Sequence, residues 1–97
     1  MKLSDLLTDQ ASFDAHTGAI EVTGITADSR AVKRGFVFVA VPGTKADGMI
    51  YADQAARAGA AAIVGEHAPQ APLPGGTAFV LVKNPRRALA MAAAAGS

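Results

Sequence analysis

The chain has no cysteine and no tryptophan, and aromatic residues make up only 5% of it. Without cysteine there are no disulfides and no thiolate metal sites, which fits a cytoplasmic setting. Long apolar runs are missing too. Hydrophobic residues amount to 51%, but much of this is alanine, and no stretch approaches the roughly 18 consecutive apolar residues that cross a bilayer, so no membrane association is expected. An export segment is not expected either, because Asp5 and the polar run from Thr8 to Gln10 interrupt any apolar core behind Met1 and Lys2. Nor does one sign of charge dominate. Nine Lys and Arg against eight Asp and Glu leave a net charge of +1, too balanced for a general nucleic-acid surface, so an anion site must be local. At 97 residues the chain suits one domain with one modest core.

What is present is organised around residues 25 to 48, ITADSRAVKRGFVFVAVPGTKADG. Phe36 to Val41 is an unbroken run of β-branched, aromatic and small apolar residues, which suits a strand covered on both faces, with Phe36, Phe38 and Ala40 on one side and the valines on the other. Pro42 to Ala46 then forms a loop, and Asp47 is placed to cap a helix over residues 47 to 58 whose apolar face is read as Ile50, Tyr51, Ala55 and Ala58. Gly59 stands where a left-handed helix end is wanted. Ala60 to Val64 reads as a second buried strand, parallel to the first. Thr77 to Val82 reads as a third.

Around this unit, Lys2 to Leu7 reads as a short helix, and residues 8 to 18 as polar turns. From Ala19 an alternating pattern predicts one or two short strands broken near Gly24, and Gly35 supplies a turn with positive φ. The segment from Glu66 to Gly76 is a Pro/Gly-rich surface loop. Asn84 and Pro85 give an N-cap and a first helical residue for a last helix over 85 to about 95. Its apolar residues spread almost all the way round, as for a helix with more than one neighbour. Arg86 and Arg87 lie in its first turn, where positive charge opposes the helix dipole by a few tenths of a kcal/mol. Two readings of them stand: solvated arginines, or contacts to an acidic partner or neighbouring domain.

Nucleotide motifs fail. There is no Gly-Lys dipeptide, so the phosphate loop of ATPases is absent. His16 and His67 have no partners at metal-ligand spacing, and no metal site is expected. No nucleophile elbow surrounds Ser29. No catalytic constellation is evident. What remains is a binding surface: Ser29 after one strand and Thr44 and Lys45 after the next can converge at the carboxyl edge of a sheet, where hydroxyls, an ammonium and free N–H groups suit a phosphate or a base. For Ser29 the alternative is a turn-capping hydroxyl, for Lys45 a solvated charge. Asp28 and Arg30 read as a local structural pair.

The segment just quoted, followed by YADQAARAGAAAIVGE and VKNPRRALAMAAA, resembles the amino-terminal domain of the muramyl ligases of peptidoglycan synthesis. The likeness is good over residues 25 to 66 and 83 to 93. The Asn84-Pro85-Arg86-Arg87-Ala88-Leu89 stretch favours the type that adds the third residue, diaminopimelate or lysine, to UDP-N-acetylmuramoyl-L-alanyl-D-glutamate; the D-alanyl-D-alanine-adding type and a stand-alone anion- or protein-binding module are the alternatives. The resemblance implies an α/β fold, a small three-layer domain with a mixed, partly parallel sheet and flanking helices. It implies that Ala27, Ser29, Thr44, Lys45 and Ala46 line the pocket for the UDP end of the substrate. ATP and Mg would act on a central ATPase domain, partner to this one and absent from these 97 residues, so that this domain anchors substrate without catalysing. Many relatives have a larger aliphatic residue where Ala27 stands and a histidine at Thr44 or Met49, which bears on how uracil would stack.

Overall fold

The computed structural model describes residues 1–7, 11, 13–42 and 48–95. Four short strands form one sheet: β1 (Gly24–Thr26), β2 (Phe36–Val39), β3 (Ala62–Gly65) and β4 (Ala78–Leu81). They lie in the order β1-β2-β3-β4 and every pairing is parallel. Antiparallel contact among the described residues is confined to two isolated bridges, Lys2 with Glu21 and Ala11 with Val82. The sheet is thus all-parallel and not mixed as the resemblance implied, because each strand is reached by a crossover that returns the chain to the same end of the sheet.

The alternation read from residues 36 to 41 sorts the core into two. Val37 and Val39, with Ala62, Val64 and Val80, face α1 (Leu3–Leu7), which contributes all three of its leucines, and α4 (Pro85–Ala95), which contributes Ala88 and Ala92. Phe38, Ala40 and Ile63 face the other way, onto Ala52, Ala55 and Ala56 of α3 (Ala52–Arg57) and onto Val32 and Leu73. Helices, sheet and helix make three layers, and the strands, covered on both faces, are nearly all apolar. Leu73 pins the loop between β3 and β4, which is otherwise at the surface.

Several boundaries differ from the sequence reading. β2 ends at Val39, because the Val41 N–H turns back to the Val39 carbonyl at 3.1 Å and Pro42 has no N–H to offer a ladder. Gly24 does not break a strand but begins β1 opposite Phe36; a Cβ there would stand 2.7 Å from Phe36 Cε1, so the aromatic ring occupies the space a side chain would need. A short helix, α2 (Ala15–Gly18), lies in the segment read as turns, and its N-cap Asp14 accepts from the Thr17 N–H at 2.7 Å.

The buried face of the third helix shares only Ala55 with the face that the sequence predicts. A 3₁₀ turn over Gly48–Tyr51 precedes α3, and its three residues per turn shift the phase of everything before Ala52. Ile50 is 62% and Tyr51 43% exposed, and Ala58 is exposed as well, whereas Ala52, Ala55 and Ala56 are buried. Asp47, read as the cap, lies outside the described residues. The start of the last helix is as expected, with Asn84 Oδ1 accepting from the Arg87 N–H at 3.1 Å and Pro85 opening the helix; along it Ala88 and Ala92 are buried and Met91 is 47% exposed.

Candidate functional site

Because β1 and β2 are adjacent and parallel, with Thr26 opposite Phe38, the chain leaves both strands at the same edge of the sheet. The segment after β1 is built by successive side-chain caps. Thr26 Oγ1 accepts from the Asp28 N–H at 3.1 Å, and Asp28 Oδ1 accepts from the Arg30 N–H at 2.9 Å, opening a 3₁₀ turn over Ser29–Ala31. The cap is thus Asp28 and not Ser29, which removes the capping alternative for the serine. Ser29 is half-buried and its hydroxyl makes no hydrogen bond to a described residue, while Ala27 is exposed. Both follow β1 at the carboxyl edge of the sheet. Thr44, Lys45 and Ala46, which belong to the segment after β2, lie outside the described residues.

Asp28 and Arg30 form the local pair expected of them, Nε to Oδ1 at 3.2 Å and Nη2 to Oδ2 at 3.4 Å. The Arg30 backbone N–H first, and its guanidinium second, hold the Asp28 carboxyl below the usual aspartate range. The Asp28 side chain is exposed, so the pair steadies the turn locally more than it stabilises the fold. A depressed folded value means that the stabilisation is complete at neutral pH and is lost only as pH falls through that value, below the roughly 3.9 of a free aspartate. In an NMR pH titration the Arg30 amide is therefore expected to move with a midpoint below the roughly 3.9 of a free aspartate. A midpoint above that of a free aspartate would contradict the cap.

One contact at this edge had no clear signal in the sequence. Arg86, in the first turn of α4, donates from Nη2 to the Pro42 carbonyl at 2.8 Å. The acceptor is a backbone carbonyl of this chain, and the side chain is otherwise exposed. The only hint was a cation placed against the helix dipole. Elsewhere, His16 is exposed and His67 lies 3.8 Å from Glu66, and among the described residues no three His, Asp or Glu are grouped to hold a metal. A cavity of about 620 Å³ beside β1 is lined by Met1, Leu6, Val22, Thr23, Gly24, Ile25 and Ala93, too apolar for a phosphate.

Comparison with known proteins gives this edge a context. Residues 21–96 match the model of the Mur ligase family, catalytic domain. The chain belongs to the Mur ligase family. This Mur ligase domain is 50% identical over 95 residues to the UDP-N-acetylmuramoyl-L-alanyl-D-glutamate--2,6-diaminopimelate ligase of Bradyrhizobium diazoefficiens, an alignment covering 97% of this chain and 19% of that protein. The chain thus spans about a fifth of the length of the curated relatives it matches. MurF from Acinetobacter baumannii shares its fold, with a TM-score of 0.76 at 23% identity over 97% of this chain and 20% of that one. MurF ligase from Thermotoga maritima, solved in complex with ADP, matches at 32% identity and a TM-score of 0.59 over 76% of this chain and 16% of that one. The likeness read from residues 25 to 66 and 83 to 93 extends over almost all of this Mur ligase domain.

Proposed function

We propose that this Mur ligase domain anchors the UDP end of UDP-N-acetylmuramoyl-L-alanyl-D-glutamate for a cytoplasmic, ATP-dependent ligase that adds diaminopimelate in peptidoglycan synthesis. The observation that carries the reading is the 50% identity, over nearly the whole chain, to a protein of that name. The likeness to MurF from Acinetobacter baumannii rests on the fold at 23% identity and does not favour the D-alanyl-D-alanine-adding type.

The geometry is compatible. Ala27 and Ser29 follow β1 at the carboxyl edge; Thr44, Lys45 and Ala46 follow β2 in the sequence and lie outside the described residues, and a pocket built from both segments would draw on two hydroxyls and one ammonium. A nucleoside diphosphate suits such a set, with the charge on Lys45 and the hydroxyls on oxygen atoms. The residues of this chain do not fit an ATP–magnesium centre: the sequence has no Gly-Lys dipeptide, and no metal-holding cluster occurs among the described residues. Such chemistry belongs to a central ATPase domain acting as this one's partner. The role left to this domain is positioning, in which binding energy at the remote UDP end holds the reacting carboxylate where its displacement occurs.

An amide-resolved NMR titration with UDP, then with UDP-N-acetylmuramoyl-L-alanyl-D-glutamate, tests the reading. Saturable shifts are expected at Ala27, Ser29 and residues 44 to 46, and Ser29→Ala should weaken binding by about three- to tenfold, the loss of one hydrogen bond. A folded sample with no shift anywhere would sink the proposal.

A further inference from the structure

We infer that Tyr51 is a further residue of the nucleotide site, its ring giving the base a face to stack on beside Ser29. This rests on the reading that the edge after β1 holds the uridine end of the substrate. Tyr51, counted by spacing into the buried face of the third helix, is instead 43% exposed, and its neighbour Ile50 is 62% exposed. It stands at the N-cap of α3 without capping it through its side chain, and its hydroxyl makes no hydrogen bond among the described residues.

The packing of α3 places this residue at the carboxyl edge. The far end of the helix is fixed at the amino end of β2, where the Gly59 carbonyl accepts from the Gly35 N–H at 2.9 Å and Gly59 closes on Arg34. Because α3 connects two parallel strands, its first residues lie at the opposite edge. Val32, just after the Ser29–Ala31 turn, is buried in the same cluster as Ala52, the first residue of α3, so turn and helix share one face of the sheet. The Arg30 guanidinium is held in its charged form by the Asp28 carboxylate first and, to a smaller degree, by the Tyr51 phenol. Asp28 and Arg30 neutralise one another at this corner, which favours an uncharged base over a phosphate there. A half-exposed ring with only two side-chain torsions loses little freedom when a flat base covers it.

The chain has one tyrosine, so the Tyr51 ring signals in an NMR spectrum are identified by residue type alone. On titration of the 97-residue chain with UDP, they are expected to shift and to saturate together with the Ser29 amide. Tyr51→Ala should weaken UDP binding roughly tenfold, the order of one base–aromatic stack. Tyr51→Phe, which keeps the ring, and Ile50→Ala, which removes an exposed apolar neighbour, should bind as the parent does. A silent Tyr51 ring while the Ser29 amide saturates overturns the inference and leaves the substrate reading standing; this outcome needs no variant to fold. Equal losses in Tyr51→Ala and Tyr51→Phe would make the hydroxyl the contact and overturn the stack, and an equal loss in Ile50→Ala would reduce the effect to apolar surface. A parent chain that binds no UDP overturns the substrate reading and this inference with it, and the parent titration alone reveals that outcome.

Discussion

Phe38→Ala is expected to destabilise the domain by about 3–5 kcal/mol, at the upper end of what deleting a buried aromatic side chain costs. Phe38 is 1% exposed and sits in β2, with a neighbouring strand on either side. Its cluster is built largely from Ala52, Ala55, Ala56 and Ala60 of α3 and the turn after it, together with Val32, Ile63 and Leu73. Alanines cannot extend into a void, so the cavity would stay open, and residual cavity volume is what raises the cost. A domain of this size has roughly 5–15 kcal/mol to lose. Each kcal/mol lowers the midpoint by about 4–8 °C in a domain of 60–100 residues, so a thermal melt followed by circular dichroism should shift by roughly 12–40 °C. A shift of only a few degrees would show that α3 settles onto the sheet when the ring is removed.

Gly59→Val should come next, at about 2–4 kcal/mol, from backbone strain plus displaced packing. Gly59 has φ +106°, and a Cβ there would lie 3.0 Å from Arg34 Cα, a backbone atom that cannot swing aside. The approach is itself structural: the Gly59 carbonyl accepts from the Gly35 N–H at 2.9 Å, which locks the turn after α3 against the turn before β2. Gly75→Ala is the informative contrast. Gly75 also has positive φ, +68°, but nothing lies within 4 Å of the added Cβ, so only the conformational penalty of about 1–2 kcal/mol remains. Comparable chemical-denaturation midpoints for Gly59→Val and Gly75→Ala would mean that the Arg34 backbone yields, contrary to the argument.

How far the sequence could be read depended on the range of the interaction concerned. Asn84 and Pro85 announce the start of α4 because an N-cap and its helix are neighbours in the chain. The two-sided burial of β2 could be read because side chains alternate along any strand. The Asp28–Arg30 pair spans two residues and was legible for the same reason. Where local periodicity was mixed, the reading failed: a 3₁₀ turn before α3 put Ile50 and Tyr51 at the surface, and α2 is too short to carry a period at all. At the site, Ser29 was visible as a candidate, but that Asp28 takes over the capping, leaving the serine hydroxyl available, required the geometry of the turn.

The sequence by itself determined the class of fold, the cap of α4, the faces of β2 and the kinship with the Mur ligases, since all of these are written in residue types and spacings a few positions apart. Tertiary structure decided which strands pair and in what order. It decided that β1 and β2 release their chains at one edge, that Gly59 meets Arg34, and that Arg86 holds Pro42. Those contacts join residues 12 to 44 positions apart in the chain. No local propensity encodes them, because they arise only when packing two faces of a sheet brings distant segments together.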